Sequence, residues 1–258
     1  SFMKIIRICI LSVFMAAAAV VFASAAMAPA GTKKQSLNGY WKLAVVQPGE
    51  GEKAFDDFYK PGFSEKNMKS IRVPSNWDME GFETARYADP GDAAGFYRRE
   101  FVSPKLAAGE RLFLRFEGVL FGAEVWLNGE KLGKHLGGFT QFEFDITDKE
   151  KQGADNLLAV KVTKQRAKGY EFDTNDSWAL SGIHRDVFIY KTPAVRIDSV
   201  RVVTDLDDEY KDADLKVSAS IVNATSSAKE IKIRAELLTP KTGKKISEMS
   251  AAGTAGTD

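Results

Sequence analysis

The sequence predicts an all-β protein: a β-sandwich or jelly roll followed by a partial immunoglobulin-like β-sandwich. Two observations predict it. Apolar and polar residues alternate over short runs, the period of a half-buried strand, and past the first thirty residues no long window repeats every 3.6 residues as a helix would. Turn residues also recur about every 8–12 residues, the spacing of sandwich strands.

The N-terminal segment stands apart. Lys4 and Arg7 precede an apolar run, Ile8 to Phe22, that ends in Ala23-Ser24-Ala25-Ala26. A basic start, an apolar stretch of about 7–15 residues and a small-residue cleavage site describe a secretory signal peptide. Residues 1–28 therefore read as a leader, and the chain as exported, periplasmic or extracellular. Cleavage after Ala25 fits best; cleavage after Ala28 would leave Pro29 next to the cut. The competing reading is an uncleaved anchor, since the apolar stretch approaches the roughly 20 residues of a membrane span. Its Ala-rich second half is weakly hydrophobic and favours a leader. Cys9 lies near the start of the apolar run, which does not suit a lipoprotein.

Residues 36–193 carry the first sandwich. Arg111 to Phe116 puts Leu112, Leu114 and Phe116 on one face. Ala123 to Leu127 runs into Asn128-Gly129, a hairpin signal because both turn positions need φ > 0. Phe139–Ile146, Asn156–Thr163 and Ile183–Tyr190 continue as strands, and Arg98 and Arg99 alternate on another, so one is expected buried and paired. Lys191-Thr192-Pro193 marks a boundary. Residues 194–258 open with Val195–Val203, Leu215–Val222 and Ile231–Leu238. Leu215, Val217, Ala219 and Ile221 share a face, as do Ile231, Ile233, Ala235 and Leu237. About seven strands close an immunoglobulin-like sandwich. Fewer are legible, so this domain is expected to be truncated, with an uncovered apolar face and open edges. The alternative is a small strand appendage ending in a disordered tail, Ser250 to Asp258.

Composition excludes several chemistries. The 258 residues hold 36 Lys+Arg against 35 Asp+Glu, a net charge of +1 that gives no hint of a nucleic-acid or anionic-membrane partner. One Cys and two His cannot build a disulfide framework or a Cys/His zinc site. The only thiol is Cys9, inside the leader. With 17 Phe, 7 Tyr and 4 Trp, there are enough large side chains for a sizeable core.

A series of motifs then carries a resemblance. In order they are Ala94-Gly-Phe-Tyr-Arg-Arg-Glu-Phe101, Phe116-Glu-Gly-Val119, Ala123-Glu-Val-Trp-Leu-Asn-Gly129 with Leu132-Gly-Lys-His-Leu-Gly-Gly-Phe-Thr140, Phe144-Asp-Ile-Thr147, and Trp178-Ala-Leu-Ser-Gly-Ile-His-Arg-Asp-Val187. From about Leu37 to Pro193 this resembles the N-terminal sugar-binding domain of glycoside hydrolase family 2, which includes β-galactosidases, β-glucuronidases and β-mannosidases. Gly-Ile-His-Arg is β-glucuronidase-like; the flanking residues are β-galactosidase-like. The resemblance implies a jelly roll, an immunoglobulin-like sandwich and then a (β/α)8 barrel holding both catalytic glutamates. No catalytic residue is therefore expected in this chain, and no cofactor or metal. Its expected partners are a carbohydrate substrate and the missing catalytic barrel of the same polypeptide, not nucleic acid; a homo-oligomer stays open.

The resemblance also implies sugar contacts. An Asp two residues before the Trp of W-x-x-S-G-I hydrogen-bonds sugar hydroxyls in β-galactosidases; here that position is Asp176. A second contact comes from a Tyr-x-Asn segment, matched here by Tyr87-Ala88-Asp89. Asp89 replaces an amide and cannot donate as the amide does. Asp176 also stands on chemistry alone, since a carboxylate accepts hydroxyl bonds about twice as strong as neutral ones; its bland reading is a turn cap. Trp77 and Trp178, in loop contexts, are the candidates for stacking on sugar, whereas Trp126 alternates within a strand and reads as core.

Other features read as structural. His184 lies in a strand-like run and is expected to be packed or hydrogen-bonded. Asp205 to Asp214 is a solvated acidic loop, with Lys211 and no central Gly against a calcium loop. Asn223-Ala-Thr225 fits the glycosylation acceptor pattern. Two rival readings stay open: a free-standing carbohydrate-binding module, and a structural sandwich of the cell envelope.

Overall fold

The computed structural model describes residues 5–13, 34–87, 91–164 and 178–257. The chain divides into two compact units, residues 32–191 and residues 1–31 with 192–258.

The first unit is a sandwich of two antiparallel sheets. Its strands are β2 (Lys34–Ser36), β3 (Gly39–Val46), β4 (Lys69–Val73), β5 (Ala94–Val102), β6 (Glu110–Phe116), β7 (Gly122–Leu127), β8 (Glu130–Leu136), β9 (Phe142–Asp145), β10 (Asp155–Thr163) and β11 (Val187–Pro193). One sheet runs β4-β3-β5-β10-β7-β8 and the other β2-β11-β6-β9. Apart from the β4–β3 and β7–β8 pairs, neighbours in each sheet are not consecutive in sequence, as in a jelly roll. Between the sheets lie Trp41 and Leu43 of β3, Tyr97 of β5, Leu112, Leu114 and Phe116 of β6, Val125 and Leu127 of β7, Leu158, Val160 and Val162 of β10, and Val187 and Ile189 of β11, all buried. Their odd or even spacing within each strand is the pleat itself.

The outer face of the six-stranded sheet is covered as well. The connection from β3 to β4 lays Phe55, Phe58 and Met68 against Ala44, Ala94, Phe96 and Ala159. Phe55 stacks on Phe96 at 5.0 Å and Tyr59 on Trp126 at 5.4 Å. Trp126 is thus packed, but on the outer face. Arg98 is the buried member of its pair. Its Nε lies 2.7 Å from Glu65, and it donates to the carbonyls of Phe58 and Lys60.

Local differences from the sequence reading have physical causes. Asn128 and Gly129 turn at φ 54 and 92 and join β7 to β8 as expected. The strand read from Phe139 begins only at Phe142, because Gly137 to Thr140 form a loop. The strand read from Ile183 begins at Val187, because the backbone before it bonds to neighbouring loops instead.

The second unit contains β12 (Val195–Leu206), β13 (Ala213–Asn223), β14 (Lys229–Leu238) and β15 (Lys245–Ala255). The Ser250–Asp258 stretch, open to a tail reading, is ordered in β15 through Ala255, paired antiparallel with β14. β12 and β13 form a sheet, and the backbone of β1 (Ile5–Val13) runs antiparallel along the free edge of β13. A small core gathers Ala219 and Ile233 with Ile221, Ile231, Met249 and Ala251. The acidic stretch is the exposed turn between β12 and β13. Asn223 is no accessible acceptor for a glycan: it is 1% exposed, and its amide nitrogen donates to Ser227 O at 2.9 Å and Ala255 O at 3.1 Å. No helix among the described residues is long and apolar enough to cross a membrane.

Candidate functional site

At one end of the jelly roll, four loops meet through backbone hydrogen bonds. Ser75 and Trp77 donate to the carbonyls of Ile183 and Ser181, each at 3.0 Å. Leu120 and Gly182 exchange bonds of 3.0 and 3.2 Å, and Gly137 donates to Phe121 O at 3.1 Å. Gly182 makes this convergence possible. It sits at φ 119, and a Cβ there would lie 2.9 Å from the Tyr97 hydroxyl and 3.0 Å from Ser75 O. Only glycine fits such a position, which gives the Ser-Gly-Ile motif its physical content.

On this end Trp178 and Tyr87 face solvent, 61% and 52% exposed. They form an isolated antiparallel bridge, and their rings meet edge to face at 5.7 Å. An exposed aromatic pair presents apolar ring faces of the kind that pack on a sugar's C–H groups. Trp178 is open to solvent. The other stacking candidate, Trp77, is not: it is 0% exposed and lies over Gly95, where a Cβ would approach its ring to 2.3 Å. Trp77 is core, because the loop that carries it folds inward over β5. Asp89 and Asp176 lie outside the described residues.

Beneath this end is an ion cluster. The Lys164 ammonium is fully buried, 2.6 Å from Asp78 Oδ1 and 2.8 Å from Glu83 Oε2. Asp78 Oδ2 accepts the backbone N–H of Ser181 at 2.7 Å, and Glu83 accepts from Gln47 Nε2 at 3.2 Å. Burial, with the nearby Asp78 charge, pushes the Tyr97 phenol far above its ordinary range. The sequence reading missed this cluster. Its signal was parity: Val160, Val162 and Lys164 fall on one inward face, and an inward lysine needs buried carboxylates.

The two histidines hold one loop. His184 Nε2 lies 2.9 Å from Gly138 O, and His135 Nε2 lies 3.1 Å from Gly137 O and 3.0 Å from Thr140 Oγ1. Burial pushes both imidazoles below their ordinary range, the carbonyl bonds acting the other way. Among the described residues no three His, Cys, Asp or Glu side chains gather as a metal-binding set.

Comparison with known families settles the relationship. The sugar binding domain of glycosyl hydrolases family 2 matches residues 34–193, and a second family 2 domain matches residues 195–257. The chain belongs to glycosyl hydrolases family 2. Among the family's curated members, a β-galactosidase of Priestia megaterium is 34% identical over 73% of this chain, and one of Vibrio cholerae 33% over 76%. The chain spans about 20% of the length of each. Among solved structures, a β-glucuronidase of Bacteroides uniformis aligns with TM-score 0.70 at 21% identity, covering 87% of this chain and 26% of that one. That likeness is one of fold. The family 2 members are glycosidases, which hydrolyse O-glycosyl bonds.

Proposed function

We propose that this chain is the N-terminal, non-catalytic part of an exported retaining glycoside hydrolase of the β-galactosidase type. The catalytic barrel lies downstream on the same polypeptide. The first unit supports it and lends sugar contacts from Trp178, Asp176 and Asp89. The observation that carries this reading is the exposed Tyr87–Trp178 pair, on a domain whose family is named for sugar binding. Chain connectivity adds to it. Asp89 follows Tyr87 by two residues and Asp176 precedes Trp178 by two, and two residues of chain reach about 7 Å at most. Both proposed contacts thus neighbour the aromatic pair in sequence.

Retaining hydrolysis needs two carboxyl groups about 5–5.5 Å apart, one to protonate the leaving oxygen and one to attack. Asp78 and Glu83 do not serve, since Asp78 is buried, Glu83 is only partly exposed, and Lys164 holds both. The β-galactosidase type is favoured over the β-glucuronidase type by the curated relatives at 34% and 33% identity. Residues 1–28 serve as the export leader.

The test begins with the coding sequence beyond Asp258, followed by assay of the complete polypeptide on nitrophenyl β-galactoside, β-glucuronide and β-mannoside. Hydrolysis of the galactoside with retained configuration is expected. Asp176→Ala should lower kcat/KM roughly ten- to hundredfold, the worth of a charge-assisted hydrogen bond at about 1.5–3 kcal/mol; an unchanged value removes Asp176 from the site. A stop codon directly after Asp258, with glycan affinity and no hydrolysis, would make the chain a free-standing binding module. N-terminal sequencing of the exported protein should start at Ala26; a retained leader in the membrane fraction overturns the export reading.

A further inference from the structure

We infer that Asp78 is a positioning residue for the sugar platform, fixing Trp178 from beneath through a carboxylate shared between two chain segments. The inference rests on the proposed role of Trp178 in binding sugar. Asp78 uses its two oxygens on different segments: Oδ1 takes the Lys164 ammonium at 2.6 Å, and Oδ2 takes the Ser181 N–H at 2.7 Å. Lys164 stands at the exit of β10, and Ser181 follows Trp178 by three residues. One buried side chain thus joins the segments on either side of residues 165–177. From Ser181 the hold passes to the platform. Leu180 donates to Trp178 O and Ala179 to Arg86 O, each at 2.9 Å, beside the Tyr87–Trp178 bridge.

The chemistry is specific to a carboxylate. An ionised Asp accepts on both oxygens, so an ammonium and an amide can bind it together. An Asn of the same shape would turn an NH2 toward one of these two donors. Stability alone does not call for such a cluster, because a buried ion group is often matched or bettered by packed apolar side chains. Its distinguishing property is geometric. Glu83 provides the contrast within the same cluster: it binds Lys164, Trp77 and Gln47, none of them in the segment from Trp178 to Ser181.

The experiment has two readouts. The first is the 258-residue chain labelled with 5-fluorotryptophan, read by fluorine NMR. Trp178 supplies the solvent-exposed signal, assigned with Trp178→Phe, and Trp41 reports the core. Asp78→Asn and Lys164→Met should each shift or broaden the Trp178 signal and leave that of Trp41 in place. Glu83→Gln should leave both. The second readout is the kinetics of the complete enzyme on nitrophenyl β-galactoside. Asp78→Asn should raise KM about fivefold with kcat within about twofold, the pattern of lost uniform binding. Combined with Trp178→Ala it should add nothing further, because Asp78 acts through Trp178.

An unmoved Trp178 signal in Asp78→Asn overturns the inference, as does an equal movement in Glu83→Gln. Loss of the Trp41 signal in both Asp78→Asn and Lys164→Met would make the cluster a folding element and overturn it too. If the complete wild-type enzyme hydrolyses no glycoside, the functional reading fails by itself, while the fluorine spectra still decide whether Asp78 positions Trp178.

Discussion

The two units are made of the same kind of strand but bury different amounts of it. In the first, both sheets find an opposing layer, and the β3–β4 connection adds a third over the outer face. In the second, Ala219 and Ile233 are buried, while Val200 and Leu206 of β12 remain 47% and 54% exposed. Alternation makes a strand amphipathic, but only a second layer turns its apolar face into a core. The same sequence signal therefore carries different energies in the two units.

Substitutions can break this comparison. Leu114→Ala, at the centre of the first core, should cost about 2–5 kcal/mol by urea denaturation, the range for a buried leucine. Ile233→Ala should cost clearly less, because the few side chains around it can close over the gap; hydrogen exchange resolved by peptide would report each unit separately. Equal losses would show that the second unit is packed as well as the first. Gly182→Ala comes next, at about 1–3 kcal/mol, since it forces a side chain into a left-handed conformation against backbone. A wild-type melting temperature would mean the four-loop convergence does not need glycine.

Acid should also separate the units. Both histidines of the chain, His135 and His184, lie in the first. Their imidazoles titrate below the unfolded value of about 6.5. The folded state thus binds fewer protons than the unfolded, and its stability is full above about pH 6.5 and falls as the pH drops beneath that value. Between pH 7 and 5 the first unit should lose exchange protection while the second holds, and His135→Gln/His184→Gln should flatten the difference. A parallel decline in both units would assign it to other groups. The smallest effect is expected at Val200→Thr, within about 0.5 kcal/mol, because its side chain is already half in water; a large loss would show that β12 has a covered face.

Much of the first unit was legible because its signals are local. The Leu112, Leu114, Phe116 alternation and the Asn128-Gly129 turn depend on neighbours in sequence. β15 was not read as a strand because Ser250 to Ala255 is small and polar, and its order comes from the register with β14. Loop context made Trp77 and Trp178 equal candidates for stacking, yet only Trp178 is exposed. A loop's direction over β5 is decided by what it covers.

The sequence by itself determined the all-β class and the family, since each rests on residue order and short-range patterns. Only the tertiary structure decided which inward charges meet, that Asp78, Glu83 and Lys164 form one cluster, and that Tyr87 stands against Trp178. Those contacts join residues up to 103 positions apart, as Asp78 and Ser181 are. Their partners are selected by the packing of whole sheets, a quantity no local pattern carries.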